Sequence, residues 1–163
     1  MSITNDILRS WRHPRVVMRE KLAAGEREDR ALAVLMAASL LLFVAQWPSL
    51  SRAAFLDPTT PLEARLGGAL MACLFILPLI AYGVALISRL VARLVGGKGS
   101  GFGARLALFW ALLAIAPAML LQGLTAGFVG PSPALYLVQG IVMAVFLWIW
   151  LSMLYQSEQI DGP

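Results

Sequence analysis

Residues 31–50 read ALAVLMAASLLLFVAQWPSL, twenty residues without a charge. A helix rises 1.5 Å per residue, so this one would be about 30 Å long, the thickness of a bilayer's hydrocarbon core. Three further stretches read the same way, at 67–90, 106–129 and 134–155. Their interiors hold no Asp, Glu, Lys, Arg or His, and Arg89 stands in the last turn of the second. The expected fold is therefore all-α, a polytopic transmembrane helical bundle of four spans over residues 31–155. Composition agrees: 60% of the 163 residues are apolar and 13% charged, against about 45–50% and about 25% in soluble domains. A soluble domain of this size cannot bury such a surplus, so lipid has to cover it.

Ahead of the bundle, residues 1–30 form a basic lead that carries seven of the thirteen Lys and Arg. Ile3, Ile7, Leu8 and Trp11 share one face at helical spacing. Pro14 suits the first turn of a second short helix over 15–24, and Gly25 suits its C-cap. Two short amphipathic helices with a tryptophan and several arginines read as segments lying among anionic headgroups. Arg9, Trp11, Arg12, Arg15 and Arg19 are the candidate lipid-surface contacts. The same pattern also fits packing on the protein's own surface. No short apolar core with a small-residue cleavage site precedes residue 31, so the first span is expected to stay in the chain.

Between the spans, 51–66 carries Asp57-Pro58 and Thr60-Pro61, a loop punctuated by proline. Residues 91–105 contain GGKGSGFG and read as a flexible basic loop, 130–133 as a short turn, and 156–163 as a brief tail. With the amino terminus inside, eleven basic residues face inward and two, Arg52 and Arg65, face outward. The positive-inside rule then puts both termini in the cytoplasm.

Several chemistries find no residues to carry them. Ionised groups inside a bilayer mark pumps and coupled transporters, and the span interiors hold none. The only histidine, His13, lies in the lead, which disfavours haem and other metal sites and any Ser-His-Asp triad. A phosphate loop would need glycine where Ala92 stands and Ser or Thr where Gly99 stands. Cys73 is the only cysteine and reads as a small buried hydrophobe. The basic clusters sit beside long apolar runs, which points to a membrane surface rather than to nucleic acid. No enzyme activity and no cofactor is expected.

The spans do offer packing surface. Gly123 and Gly127 form a GxxxG, a face for helix packing inside the chain or for a partner's helix. Gln122, Thr125, Gln139 and Tyr82 are the sparse polar side chains from which a small carrier or channel would have to be built. Pro78 and Pro117, central in spans two and three, are the one hint of an inverted repeat.

The lead WRHPRVVMREKL (residues 11–22), with ILPLIAYG (76–83) and LFWALLAIAP (108–117) in the middle spans, resembles the small bacterial membrane proteins of the Yip1-domain family. The likeness runs over nearly the whole chain. It implies a bacterial inner-membrane location and no catalytic residues. Eukaryotic relatives in that family have five spans and act in vesicle traffic with small GTPases, whereas four spans are read here. The expected function is non-enzymatic, organising lipid or assisting membrane protein assemblies. The alternatives are an accessory subunit of a larger complex, or a small carrier or channel. Expected partners are the bilayer, anionic lipids, and a membrane-protein partner or a second copy of the chain.

Overall fold

The computed structural model describes residues 3–159, which form six α-helices with no strand among the described residues. Two short helices lead, α1 (Ile3–Arg12) and α2 (Pro14–Ala23). Four helices follow that are long and apolar enough to cross a membrane: α3 (Glu28–Leu56), α4 (Leu62–Leu94), α5 (Gly101–Phe128) and α6 (Pro133–Gln159). The architecture is an all-α bundle, that of an integral membrane protein.

Every long helix overruns the apolar stretch that announced it. The shortest has 27 residues, about 40 Å against about 30 Å of hydrocarbon. The extra turns take in residues that read as loop. α3 runs through Pro48 to Leu56, so the connection to α4 shrinks to residues 57–61. Pro48 removes one ladder bond, but its ring is wedged against Gly127 of α5 and the helix holds. The tail is likewise not a loop at its start. Gln156–Gln159 complete α6, with Gln156 and Ser157 buried, while residues 160–163 lie outside the described residues.

The two central prolines are not equivalent. Before Pro78, residues Ala72–Ile76 make a π turn, in which the Leu77 N–H reaches back to the Ala72 carbonyl. The wider turn re-pairs the ladder next to the missing proline donor. At Pro117 α5 continues as an ordinary α-helix. The hint of an inverted repeat therefore has no counterpart in local geometry.

α5 is the central helix. Its first half, from Phe102 to Ala116, is almost wholly buried, against α3, α4, α6 and α1. Its main neighbour is α3, which runs parallel to it in one register from end to end. Glu28 pairs with Arg105 at one end; Ala45 faces Gly123 and Pro48 faces Gly127 further along. The buried side of α3 (Ala31, Leu35, Ala38, Leu42, Ala45) repeats every three to four residues, the spacing of a helix seam. A Cβ on Gly123 would overlap the Ala45 carbonyl oxygen, and one on Gly127 would lie 2.9 Å from the Pro48 carbonyl carbon. The GxxxG face is thus filled by α3 of the same chain.

Both ends of the bundle are tied. At one end Arg52 donates to the carbonyls of Gly127 and Phe128, capping α5, and Arg65 pairs with Asp57 at 2.9 Å. The opposite end carries α1, α2, the 95–100 connection and the end of α6. There the glycine-rich segment is pinned rather than flexible. Gly96, at φ +87°, closes α4 with paired bonds from the Gly96 and Gly97 N–H groups to Arg93 and Ala92, a Schellman ending. The Gly99 N–H donates to Glu158, Arg89 pairs with the same carboxylate at 2.9 Å, and Ser100 caps α5. Glu158 is the one acid between residues 64 and 160, and it holds α4, α6 and this turn together.

Gly123→Ala is expected to cost about 1–3 kcal/mol, the range for forcing a methyl into a filled contact. Gly140→Ala, where a Cβ meets nothing within 4 Å, is expected to cost nothing measurable. Unfolding of each variant in mixed detergent and SDS checks this; equal effects would mean that the α3–α5 approach is not close.

Candidate functional site

The lead folds into a helical hairpin docked on the end of the bundle that carries Glu158. Pro14 starts α2 one residue after α1 ends, and Gly25, at φ +89°, closes it. Two ion pairs link the helices: Arg9 with Glu20 at 2.7 Å and Lys21 with Asp6 at 2.6 Å. α2 docks through Val17 and Met18, both fully buried in the main core.

α1 docks through polar atoms. Its buried residues are Asp6 and Ser10. Ser10 accepts from the Trp110 indole N–H at 2.9 Å and donates to the Asp6 carbonyl at 2.7 Å. The Trp11 indole donates to the Ala114 carbonyl at 2.8 Å. That carbonyl lies three residues before Pro117, next to the one the proline leaves without its usual donor. Lys21 sits 4.3 Å over the Trp110 ring. Of the apolar residues of α1, Ile7 packs partly buried against the core, whereas Ile3 and Leu8 point the other way, 62% and 65% exposed.

The five candidate lipid contacts therefore divide. The charge of Arg9 is engaged by Glu20, its two terminal guanidinium nitrogens each donating to one carboxylate oxygen, so Arg9 is a strut within the hairpin. Arg15 lies 4.9 Å over the Tyr155 ring of α6. Trp11 is part-exposed, with its N–H committed to α5. Arg12 and Arg19 are exposed and form no ion pair among the described residues.

Charge on the hairpin is tuned by these partners. The hydrogen bond from Arg9 holds the Glu20 carboxyl below the usual glutamate range, and Glu20 raises Arg9 in return. At the amino-terminal end of α3, outside the apolar stretch 31–50, Arg27 holds Asp29 low in the same way. Beyond the bundle's other end, the hydroxyl and N–H of Thr59, then Arg65, depress Asp57.

The polar side chains considered for a permeation path are not gathered. Tyr82 packs edge-on to Phe109, 5.0 Å between centroids. Gln122 is thirteen residues further along α5, about 20 Å. Thr125 bonds its own helix at the Leu121 carbonyl, and Gln139 faces outward. Gln46 joins α3 to α4 by donating to the Cys73 sulfur at 2.9 Å. No group of three His, Cys, Asp or Glu that could hold a metal occurs among the described residues.

Asp6, Ser10 and Trp110 form the dock, and sequence reasoning did not single them out. The signal was present as two polar residues four apart on α1, opposite a tryptophan inside an apolar stretch. The fold and this site define a polytopic α-helical membrane protein with a docked amphipathic hairpin. Comparison with family models, with curated proteins and with solved structures finds no match.

Because Glu20 is lowered in the folded state, the Arg9–Glu20 contact stabilises the hairpin above the ordinary glutamate range. That contribution is lost as pH falls through the lowered value. An environment-sensitive label at position 8 is expected to report loosening of α1 in that acid window, and Glu20→Gln is expected to remove the step. An unchanged acid transition in Glu20→Gln would show that the Arg9–Glu20 pair does not govern docking.

Proposed function

We propose that this chain is a non-enzymatic inner-membrane protein of the Yip1-like type that organises anionic lipid or assists membrane protein assemblies. Both termini lie in the cytoplasm in this reading. The observation that carries it is the orientation of α1. The helix gives its polar atoms to the bundle and turns Ile3 and Leu8 outward. Exposed leucine and isoleucine, with the exposed cations Arg12 and Arg19 that form no ion pair among the described residues, suit a headgroup boundary, where apolar residues enter the acyl region and arginines meet phosphates. Orientation is supported by the two outward cations, Arg52 and Arg65. Each is consumed by a local structural bond, whereas Arg12, Arg19, Arg30, Arg93 and Lys98 at the other end form no ion pair among the described residues. The full chain is the right test object, because the hairpin is part of the core. Leu8→Gln with Arg12→Gln and Arg19→Gln is expected to weaken clustering of phosphatidylglycerol around the reconstituted protein several-fold. Equal clustering in the variant would remove the lipid half of the proposal.

An accessory-subunit reading is favoured by a different surface. Gly68 and Gly83 on α4 and Gly140 on α6 face open space with nothing within 4 Å of a Cβ, and small residues in lipid allow a partner helix to approach. Gly123 and Gly127 are occupied within the chain, so they do not serve that contact. Purification in mild detergent followed by native sizing tests this reading. A stoichiometric companion released by Gly140→Leu would support it, and a lone chain would end it.

A further inference from the structure

We propose that the cleft between the amino-terminal hairpin and helices α3 and α5 is a binding site for one anionic phospholipid, held by its phosphodiester. The proposal rests on the lipid reading above and assigns it a place. The cavity has a volume of about 280 Å³. Its rim is formed by Lys21, Arg27 and Arg30, and its floor by Val34, Leu106 and Trp110. No acid lines it. Glu26, in the same segment, lies outside the lining.

Charge decides the headgroup. Lys21 is compensated by Asp6 at 2.6 Å, and Arg27 by Asp29 at 2.8 Å. Arg30 has no ion pair among the described residues. The rim therefore carries one net positive charge, which matches the single negative charge of a phosphodiester. Arginine offers a planar fork of donors suited to such an oxyanion.

Position decides that the ligand is a lipid. Arg30 is the last charge on α3 before Arg52, and Arg105 is the last on α5. Val34 lies one turn beyond Arg30, about 6 Å deeper, and Trp110 lies a similar way beyond Arg105. The cleft thus straddles the boundary between charged and apolar structure, cationic above and apolar below. A soluble anion would satisfy the rim and leave the floor empty. An acyl chain entering beside Val34 and Leu106 would cover it. The cleft is too small to enclose a lipid, so the remaining chain would lie along the neighbouring bilayer. The larger groove between α4 and α6 does not compete. Its walls include Ile87, Val91 and Leu151, and its only charged lining residue is the acid Glu158.

The test is native mass spectrometry of the full chain, released from nanodiscs of phosphatidylcholine with a minority of phosphatidylglycerol. One phosphatidylglycerol is expected to remain bound per chain. Arg27→Gln with Arg30→Gln is expected to lower its occupancy about tenfold, the loss of one charge-assisted contact. Val34→Phe, which keeps every charge and fills the floor, is expected to lower it as well. Arg93→Gln, which removes an exposed cation elsewhere on the same end of the bundle, is expected to leave it unchanged. Retention of the lipid in both cleft variants would overturn the site while leaving the lipid reading intact. An equal loss in Arg93→Gln would do the same, by showing diffuse attraction. Displacement by excess inorganic phosphate, or indifference to Val34→Phe, would mean an anion site without lipid. A wild-type chain that retains no more phosphatidylglycerol than phosphatidylcholine would overturn both the site and the lipid reading.

Discussion

The bundle depends on the close approach of two parallel helices, α3 and α5. In lipid, helices gain nothing from hiding leucine, because the solvent is as apolar as the side chain; what remains is contact. Two glycines on α5 let its backbone reach Ala45 and Pro48. The Arg52 cap and the Glu28–Arg105 pair fix the register at the two ends. With that pair set, α5 has one side for α3 and others for α6, α4 and the hairpin. α4 and α6 are mostly open by comparison, and their exposed leucines, phenylalanines and isoleucines are what lipid is expected to cover.

At the charged end a second rule operates: Asp6, Ser10 and Glu158 bridge neighbouring elements through hydrogen bonds and ion pairs, while Asp6 Oδ1 and Glu158 Oε1 have no hydrogen-bond partner among the described residues. Two separate hydrogen bonds join the hairpin to α5, from Trp110 to Ser10 and from Trp11 to the Ala114 carbonyl. Glu158 is half of an ion pair and also the acceptor for a backbone N–H. Breaking such a set leaves a charge or donor without water to replace the lost partner, which costs more than the bond itself contributes. This is why a short, highly charged lead can sit on a largely apolar bundle as a fixed element.

The four spans were legible because long uncharged runs have one common solution in a bilayer. Their ends were not, since hydropathy reports where lipid stops and says nothing of where a helix stops. Pro48 looked like an interface marker, and its packing on Gly127 lies some eighty residues away in sequence. GGKGSGFG looked flexible by composition, yet its glycines are there for a Schellman turn and for the approach of Ser157 and Glu158. A Cβ on Gly99 would overlap the Ser157 carbonyl oxygen. The hairpin was legible as two amphipathic helices. Which face would turn inward was not, because Asp6 and Ser10 find their partners on α5, and amphipathicity alone assigns the apolar face to the core by default. For the same reason Arg9 read as a surface cation, with Glu20 eleven residues away and on another helix.

The parallel pairing of α3 with α5 also sets an order of events during synthesis. Seventy-eight residues of chain separate Ala45 from Gly123, and α4 lies between them in sequence. At about 5–20 residues per second, roughly 4 to 16 seconds pass after the first span is made before its main partner exists. Throughout that interval the seam of α3 has only α4 among the later spans beside it, held by side-by-side packing, the Gln46–Cys73 hydrogen bond and a short loop. The first helix of the bundle is an early arrival that waits in the membrane. Any factor that shields half-built membrane proteins would meet this chain with the Ala31-to-Ala45 stripe still bare.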